Sequence, residues 1–553
     1  MPTKSSIADV EIPALDLWAF MFDQKREFPD SQVIYRDANN PSDRYYTFAD
    51  VKSAATAFGE GLCNLWDWEK SDVLAIYAPN DIDFAPIVYG TFYAGGIVSP
   101  ANPGYSPDEL TFQLKNSGAK ALVTTKAFLS SAQKAAEQSG IPKDRILLLG
   151  AEKDESHVVK HWTNIRQASR ALRYRRRKLD PEKDLAFLVF SSGTTGLPKG
   201  VMLSHRTVVA DLCLIKGCVG HYYSSGKDKI LGVLPFFHIY GLTGLVQQPL
   251  HRGIELVVMP AFDLKKFLEA VQTHKVTFIY VAPPVVVRLA RDSMVEKYDL
   301  SSVRMITCGA APLTKELVDT VHKKFKIKIN QAYGLSETSP MTHTQPWDEW
   351  YSSVGSVGKM FPNMTAKYVD PEGNEVAANE AGELWLAGPN VFGGYWKNEE
   401  ATNDCITVEN GLRYFKTGDV GYQDKEHNFY ITDRVKELIK YKGFQVAPAE
   451  LEGKMLDHPL VNDVAVIGVY DKDQETEVPR AYVVHAKKGS EVSDGDAADI
   501  VKWVGGKVAN HKRLRGGVRF IDEVPKSASG KILRRVLKDK VKQEEEGRVK
   551  AKL

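Results

Sequence analysis

Long apolar runs, paired cysteines and a surplus of one charge are all missing from this sequence, and each absence removes a class of protein. No run of about 18 apolar residues occurs in the 553, so no segment is suited to cross a membrane as a helix. Met1 to Phe20 lacks a basic start followed by an apolar stretch, so no secretory signal is expected. Five cysteines lie scattered at 63, 213, 218, 308 and 405, with no Cys-x-x-Cys among them. That argues against a zinc site or a disulfide framework and for free thiols in a reducing compartment. Lys and Arg number 72 against 70 Asp and Glu, a net of +2, which offers no global surface for nucleic acid. No internal repeat occurs either. The charge is uneven, however. From Arg434 onward 25 basic residues face 19 acidic ones, a balance that suits a polyphosphate ligand but that a solvated basic face would also give.

What is present is a mixed, globular pattern, 43% hydrophobic and 26% charged, too long for one ordinary core. Short β-rich apolar runs at Val73–Ala78, Ala121–Thr125, Arg145–Gly150, Leu185–Phe190, Ile230–Leu234, Glu255–Met259, Val276–Val281 and Met305–Cys308 read as buried strands. Helical patterns such as Leu264–Thr273 follow several of them. This is the signature of βαβ units and of parallel sheets covered on both faces. From about Met360 the texture changes to hairpins, with Ala366–Val369, a Pro-Glu-Gly-Asn turn and Gly382–Ala387. After Asp433 the sequence predicts a hairpin at Glu437–Val446, helices at Pro448–Leu456 and Ala497–Val508, strands at Val464–Val469 and Ala481–His485, and a charged helix within Lys531–Lys550. The basic run Arg173–Lys178 reads as an exposed loop face.

One segment carries chemistry on its face. Leu185–Phe190 runs into Ser191-Ser192-Gly193-Thr194-Thr195-Gly196-Leu197-Pro198-Lys199-Gly200, and Ser204 can cap a helix through Lys216. Strand, Gly/Ser/Thr-rich loop and helix suit an anion: glycines admit a close backbone approach, N–H groups and hydroxyls donate, and Lys199 adds charge. It is not a P-loop of the G-x-x-x-x-G-K-[ST] kind, because Pro198 stands five residues after Gly193.

The loop resembles the signature of the adenylate-forming superfamily. Further motifs agree, in order: Phe236-Phe237-His238-Ile239-Tyr240-Gly241, Asn330-Gln331-Ala332-Tyr333-Gly334-Leu335-Ser336-Glu337-Thr338, Tyr414-Phe415-Lys416-Thr417-Gly418-Asp419, Asp433–Val446 and Pro525-Lys526-Ser527-Ala528-Ser529-Gly530-Lys531. Asn102-Pro103-Gly104-Tyr105 and Leu114–Lys120 are similar to the acyl-CoA synthetase and 4-coumarate–CoA ligase branch. The resemblance covers roughly residues 40 to 540. It implies an α/β fold: an N-terminal ATP- and acyl-binding domain, 1–432, of layered βαβ-type sheets with a small β-barrel-like subdomain at about 360–432. A small mobile α+β domain, 433–553, would hinge at Asp433.

The resemblance also implies an acid–thiol ligase that uses ATP, Mg2+ and coenzyme A. Ser191, Ser192, Gly193, Thr194, Thr195 and Lys199 would hold phosphates, Gln331, Ala332, Tyr333 and Ser336 would line the adenylate, and Asp419, Arg434 and Lys436 would complete the nucleotide site. Glu337 would hold Mg2+, a lone hard carboxylate beside substrate phosphates. Lys531 would bridge the acid carboxylate and the α-phosphate. Lys440, with Lys442, Gly443 and Phe444, would serve the thiol step, and His238 would close or open the thiol tunnel and flank the acyl pocket. Tyr240, Gly244, Gly309, Ala310, Gly334, Pro340 and Met341 would line an apolar acyl pocket for a medium-chain fatty, aryl or aryl-alkyl acid. Ala332 and Ser336 depart from the branch's usual Gly and Thr, and Ala261 stands where it carries a Lys for coenzyme A. A luciferase-type oxygenase and a stand-alone amino-acid adenylating enzyme remain the alternatives; no acid in Pro235–Gly241 would receive a substrate amine. Ala551-Lys552-Leu553 resembles the C-terminal address of peroxisomal matrix proteins, which implies the import receptor as partner and the peroxisome as location, with the cytoplasm as alternative.

Overall fold

In the computed structural model of the chain, residues 2–550 are described apart from 157, 168–173, 192–196, 312, 443, 473, 488–491, 494 and 528–529, and for 545–550 the backbone alone. Two large sheets carry the N-terminal part. The seven-stranded sheet runs in the order Lys199–Ser204, Leu185–Ser191, Ile97–Ala101, Val73–Tyr77, Ala119–Thr124, Ile146–Leu148, Lys160–His161. Its strands are parallel except the first. Every residue of Val73–Tyr77 is buried, which is why it reads as an unbroken apolar run. The nine-stranded sheet is ordered Lys359–Met360, Met341–Thr344, Lys328–Gly334, Met305–Cys308, Phe278–Val281, Lys229–Gly232, Glu255–Val258, Val33–Asp37, Tyr45–Thr47, parallel at its centre and antiparallel at both ends.

The largest apolar cluster draws on both sheets and on the helices Phe48–Trp66 and Phe84–Tyr93. These two helices lie close: a Cβ on Gly59 would stand 2.6 Å from the carbonyl oxygen of Gly90, so only glycine admits the crossing. Helix Leu264–His274 starts where Asp263 accepts from the Lys266 N–H at 2.9 Å, and packs on the outer face of the nine-stranded sheet in a second cluster.

A third, antiparallel sheet joins Thr3–Lys4, Thr365–Val369, Gly382–Ala387, Leu412–Gln423, Ile406–Glu409 and Phe429–Arg434. It recruits the chain's first strand and runs past residue 432 to Arg434. The C-terminal unit has its own core. It holds the hairpin Ile439–Tyr441/Phe444–Val446, helix Pro448–Met455, the sheet Val461–Asp471, Thr476–His485, Val518–Phe520, and helices Asp496–Gly505 and Arg534–Lys550. Among the described residues no helix is long and apolar enough to cross a membrane.

Two sequence expectations change. The glycine-rich loop does not run into a helix. Lys199–Ser204 returns as a strand antiparallel to Leu185–Ser191, and the helix His205–Val219 begins only after it, capped by Ser204 as expected. An anion at the loop would therefore be held by loop groups and Lys199 rather than by a helix end. The basic run is not simply a solvated face either. Arg176 pairs at 2.7 Å with the buried Asp16, and Arg177 donates to the Trp68 carbonyl, because a buried carboxylate and a buried carbonyl both need a donor.

Candidate active site

Residues far apart in sequence converge on one polar centre. Asp419 is buried on Leu412–Gln423. Its Oδ2 accepts from the Tyr333 hydroxyl at 2.6 Å and its Oδ1 from Arg434 Nε at 3.0 Å. The turn before it is fixed by Thr417, whose hydroxyl donates to the Leu384 carbonyl at 2.7 Å and accepts from the Asp419 N–H at 3.0 Å. Gly418, at φ +72°, supplies the left-handed residue this turn needs. Both carboxylate oxygens of Asp419 thus face donors, as they would with a diol.

Glu337 sits in the short turn Ser336–Thr338 and is buried. Its Oε1 accepts from the Tyr395 hydroxyl at 2.8 Å. The Lys199 ammonium stands 4.9 Å from the centre of the same Tyr395 ring, so Tyr395 links the phosphate loop to the carboxylate. Burial raises the Glu337 carboxyl above its ordinary value, against the Tyr395 hydrogen bond and the charges of Lys531 and Arg434. Among the described residues no three His, Cys, Asp or Glu come together as a metal cage. A hard cation on Glu337 would take its remaining ligands from phosphate and water, the usual manner of Mg2+, so the donor set fits that ion.

Lys531 enters this centre from the C-terminal unit. Burial, then Arg434, lower its ammonium to about 8, while Glu437, Asp419 and Glu337 pull the other way. His238 is lowered to about 4 by burial and by Lys531, so its imidazole is neutral near pH 7. Its Nδ1 accepts from the Tyr240 N–H at 3.3 Å, which leaves the ring proton on Nε2. Gln331 contributes another feature of the site. Its Oε1 accepts from the Leu313 N–H at 3.3 Å, and its Nε2 is buried with no partner among the described residues.

On the apolar side, Tyr240 donates to the Thr307 carbonyl at 3.2 Å, and its ring packs edge-on to Tyr280. A Cβ on Gly309 would lie 3.2 Å from both the Tyr240 ring and the Ala332 carbonyl, so this glycine sets the width of the gap. Gly244 faces the Tyr280 ring across an ordinary contact. Ala310 holds φ +73°, strained for a residue with a Cβ. Pro340 and Met341 are buried, and the Met341 N–H donates to the buried Asp211 at 3.2 Å. Gly334 is exposed at the end of strand Lys328–Gly334. Any Cβ there would overlap the Pro340 carbonyl, so backbone crowding beside Met341 already requires glycine.

Lys436, Lys440, Lys442 and Phe444 do not join this centre. All are exposed on the C-terminal unit, and the Phe444 ring stacks on His511 at 4.7 Å. Ser191 ends its strand and Ser336 opens the Glu337 turn, both half-buried. Ser192, Gly193, Thr194, Thr195 and Gly443 lie outside the described residues. Sequence reasoning passed over Tyr395, Glu437 and Arg534. Arg534 donates to Glu437 at 2.7 Å and to both oxygens of Glu452 at 2.7 Å.

Comparison with known proteins defines the class. The AMP-binding enzyme model matches residues 21–396, and the AMP-binding enzyme C-terminal domain matches residues 450–531. The chain belongs to the AMP-binding enzyme family. It is 37% identical over 545 residues to 4-coumarate–CoA ligase 2 of Nicotiana tabacum, covering 97% of each chain. It is 38% identical over 484 residues to probable 4-coumarate–CoA ligase 1 of Dictyostelium discoideum, covering 85% of this chain and 86% of that one. The crystal structure of ATP-bound MatB from Rhodopseudomonas palustris superposes with a TM-score of 0.81 at 26% identity, over 95% of this chain and 98% of that one. Within the family the chain stands in the 4-coumarate–CoA ligase-like group of ATP-dependent, AMP-forming CoA ligases.

Proposed function

We propose that this protein joins a carboxylic acid to ATP as an acyl-adenylate, releasing pyrophosphate, and then passes the acyl group to coenzyme A, giving acyl-CoA and AMP. The observation that carries this reading is the half-buried Lys531 within electrostatic reach of Arg434, Asp419, Glu337 and His238. Two anions, carboxylate and α-phosphate, must meet in the first step, and a desolvated cation at their junction stabilises the charge that develops. Asp419 would exchange its Tyr333 and Arg434 donors for ribose hydroxyls. Gln331, with its unpartnered Nε2, would meet an acceptor on the adenine, and Ala332, Tyr333 and Ser336 would flank it. Ser191, the loop 192–196 and Lys199 would take the β- and γ-phosphates. Glu337, oriented by Tyr395, would hold Mg2+, which neutralises phosphate charge when bound.

For the second step the C-terminal unit would turn about Asp433. Its carboxylate accepts from Arg434 N–H at 2.7 Å and from Ala449 N–H at 3.0 Å, tying the strand end to helix Pro448–Met455. Turning would withdraw Lys531 and bring in Lys440, Lys442 and Phe444, with Lys436 moving on the same unit. Tyr240, Gly244, Gly309, Ala310, Gly334, Pro340 and Met341 would receive a medium-chain, aryl or aryl-alkyl acid. A panel of C4–C16 fatty acids, cinnamates and phenylacetates, assayed for pyrophosphate release with and without coenzyme A, tests the reading. Strict preference for amino acids, or consumption of oxygen in place of thioester formation, would overturn it.

We also propose peroxisomal import through Ala551-Lys552-Leu553 wherever that tripeptide stands free at the carboxyl end. A reporter carrying the last ten residues should become punctate. A diffuse reporter refutes the address.

A further inference from the structure

One helix of the N-terminal part touches the C-terminal unit at both of its ends. Helix Pro283–Arg291 packs in the second apolar cluster of the N-terminal part. At its first turn Pro284 lies against Gly530, the residue before Lys531. A Cβ on Gly530 would stand 3.2 Å from Pro284 Cγ and Cδ, and Gly530 itself holds φ +84°. At its last turn Arg291 reaches across to the segment that follows helix Pro448–Met455. Its Nη1 donates to the Asn462 carbonyl at 3.0 Å and to Asn462 Oδ1 at 3.2 Å, and its Nη2 donates to the Leu456 carbonyl at 3.5 Å. Nearby, a Cβ on Gly453 would sit 4.0 Å from Thr314. The helix is thus a rail touched at both ends, and the loop bearing Lys531 rests on one of them.

We propose that Arg291 is a positioning residue for Lys531: it holds the C-terminal unit against helix Pro283–Arg291 in the orientation that carries Lys531 into the nucleotide site. This rests on the adenylation reading above. Arg291 touches none of the reacting atoms, and its exposure means that its loss leaves the core intact.

The test reads the two half-reactions separately. ATP–pyrophosphate exchange is measured with octanoate and with 4-coumarate, and thioester formation from pre-made octanoyl- and 4-coumaroyl-adenylate is measured separately. Arg291→Ala should slow exchange about tenfold, the loss of roughly one net hydrogen-bonding group to charge, while thioester formation stays within twofold of the parent. Arg291→Lys should fall between, because an ammonium cannot span three acceptors in a fixed fork. Brief acetic anhydride treatment of the intact protein, read by mass spectrometry, reports docking without catalysis: Lys531 should label faster in Arg291→Ala. Unchanged Lys531 labelling in Arg291→Ala, or equal loss in both half-reactions, would overturn the proposal. Failure of the parent protein to exchange pyrophosphate with any acid would sink the adenylation reading instead, and the labelling result would still decide the docking claim.

Discussion

Replacing Lys531 by alanine removes one cation from a centre that otherwise holds Arg434, Asp419 and Glu337. The effect can be sized. Unit charges about 4 Å apart at an effective dielectric of about 20 interact by roughly 4 kcal/mol. Each 1.36 kcal/mol is about tenfold in rate, so adenylate formation should fall by about a thousandfold. The loss should be confined to one half-reaction, since attack of a thiolate on a finished adenylate calls for no cation at the α-phosphate. Formation of hydroxamate from acid, ATP and hydroxylamine reads the first step, and release of AMP from pre-made acyl-adenylate with coenzyme A reads the second. The pH profile supplies a second check. A Lys531 ammonium lowered to about 8 is charged below that pH and neutral above it. In the parent protein kcat/KM for adenylation should therefore fall as pH rises through about 8, whereas Lys531→Arg, charged throughout, should lose that limb. Near-normal pyrophosphate release by Lys531→Ala would refute the assignment.

The remaining tests follow the same division. Lys440→Ala should accumulate adenylate and slow thioester formation, seen as a burst of pyrophosphate that outruns acyl-CoA. Tyr395→Phe removes the hydrogen bond that orients the buried Glu337 carboxylate; a charged hydrogen bond of roughly 1.5–3 kcal/mol corresponds to about a 10- to 100-fold loss. The Mg2+ concentration for half-maximal exchange should rise with it, and an unchanged Mg2+ requirement would count against the role. Gly309→Ala places a methyl 3.2 Å from the Tyr240 ring, so it should cost the bulkiest aryl acids most, by about 1–3 kcal/mol in kcat/KM, and short-chain acids least.

Much of the architecture is legible because its strands are covered on both faces. Buried runs such as Val73–Tyr77 and Met305–Cys308 need no tertiary information to be recognised. Helix Leu264–His274 and the Ser204 cap were readable for equally local reasons. The strand Lys199–Ser204 was not. It is short, lies at a sheet edge, and ends on the very serine that caps the next helix, so strand and cap compete for one stretch of sequence. Motif order singled out Asp419, Glu337, Lys531 and His238, which the fold brings together. Tyr395 was missed because nothing in Gly-Gly-Tyr-Trp announces a ring between Lys199 and Glu337; that fact belongs to three segments at once.

The ladder between Leu412–Gln423 and Phe429–Arg434 sets Asp419 opposite Arg434 and Val420 opposite Asp433. The proposed ribose acceptor and the proposed pivot thus sit on neighbouring rungs. Between these rungs and the turn at 424–428 the ladder slips: Gly421 pairs with Ile431, so Thr432 is one residue more on that strand than on its partner. An extra residue of this kind bends a strand and re-aims the side chains beyond it. Thr432 therefore acts as a phase shifter, and removing it would turn Asp433 and Arg434 to opposite faces while leaving the turn itself untouched.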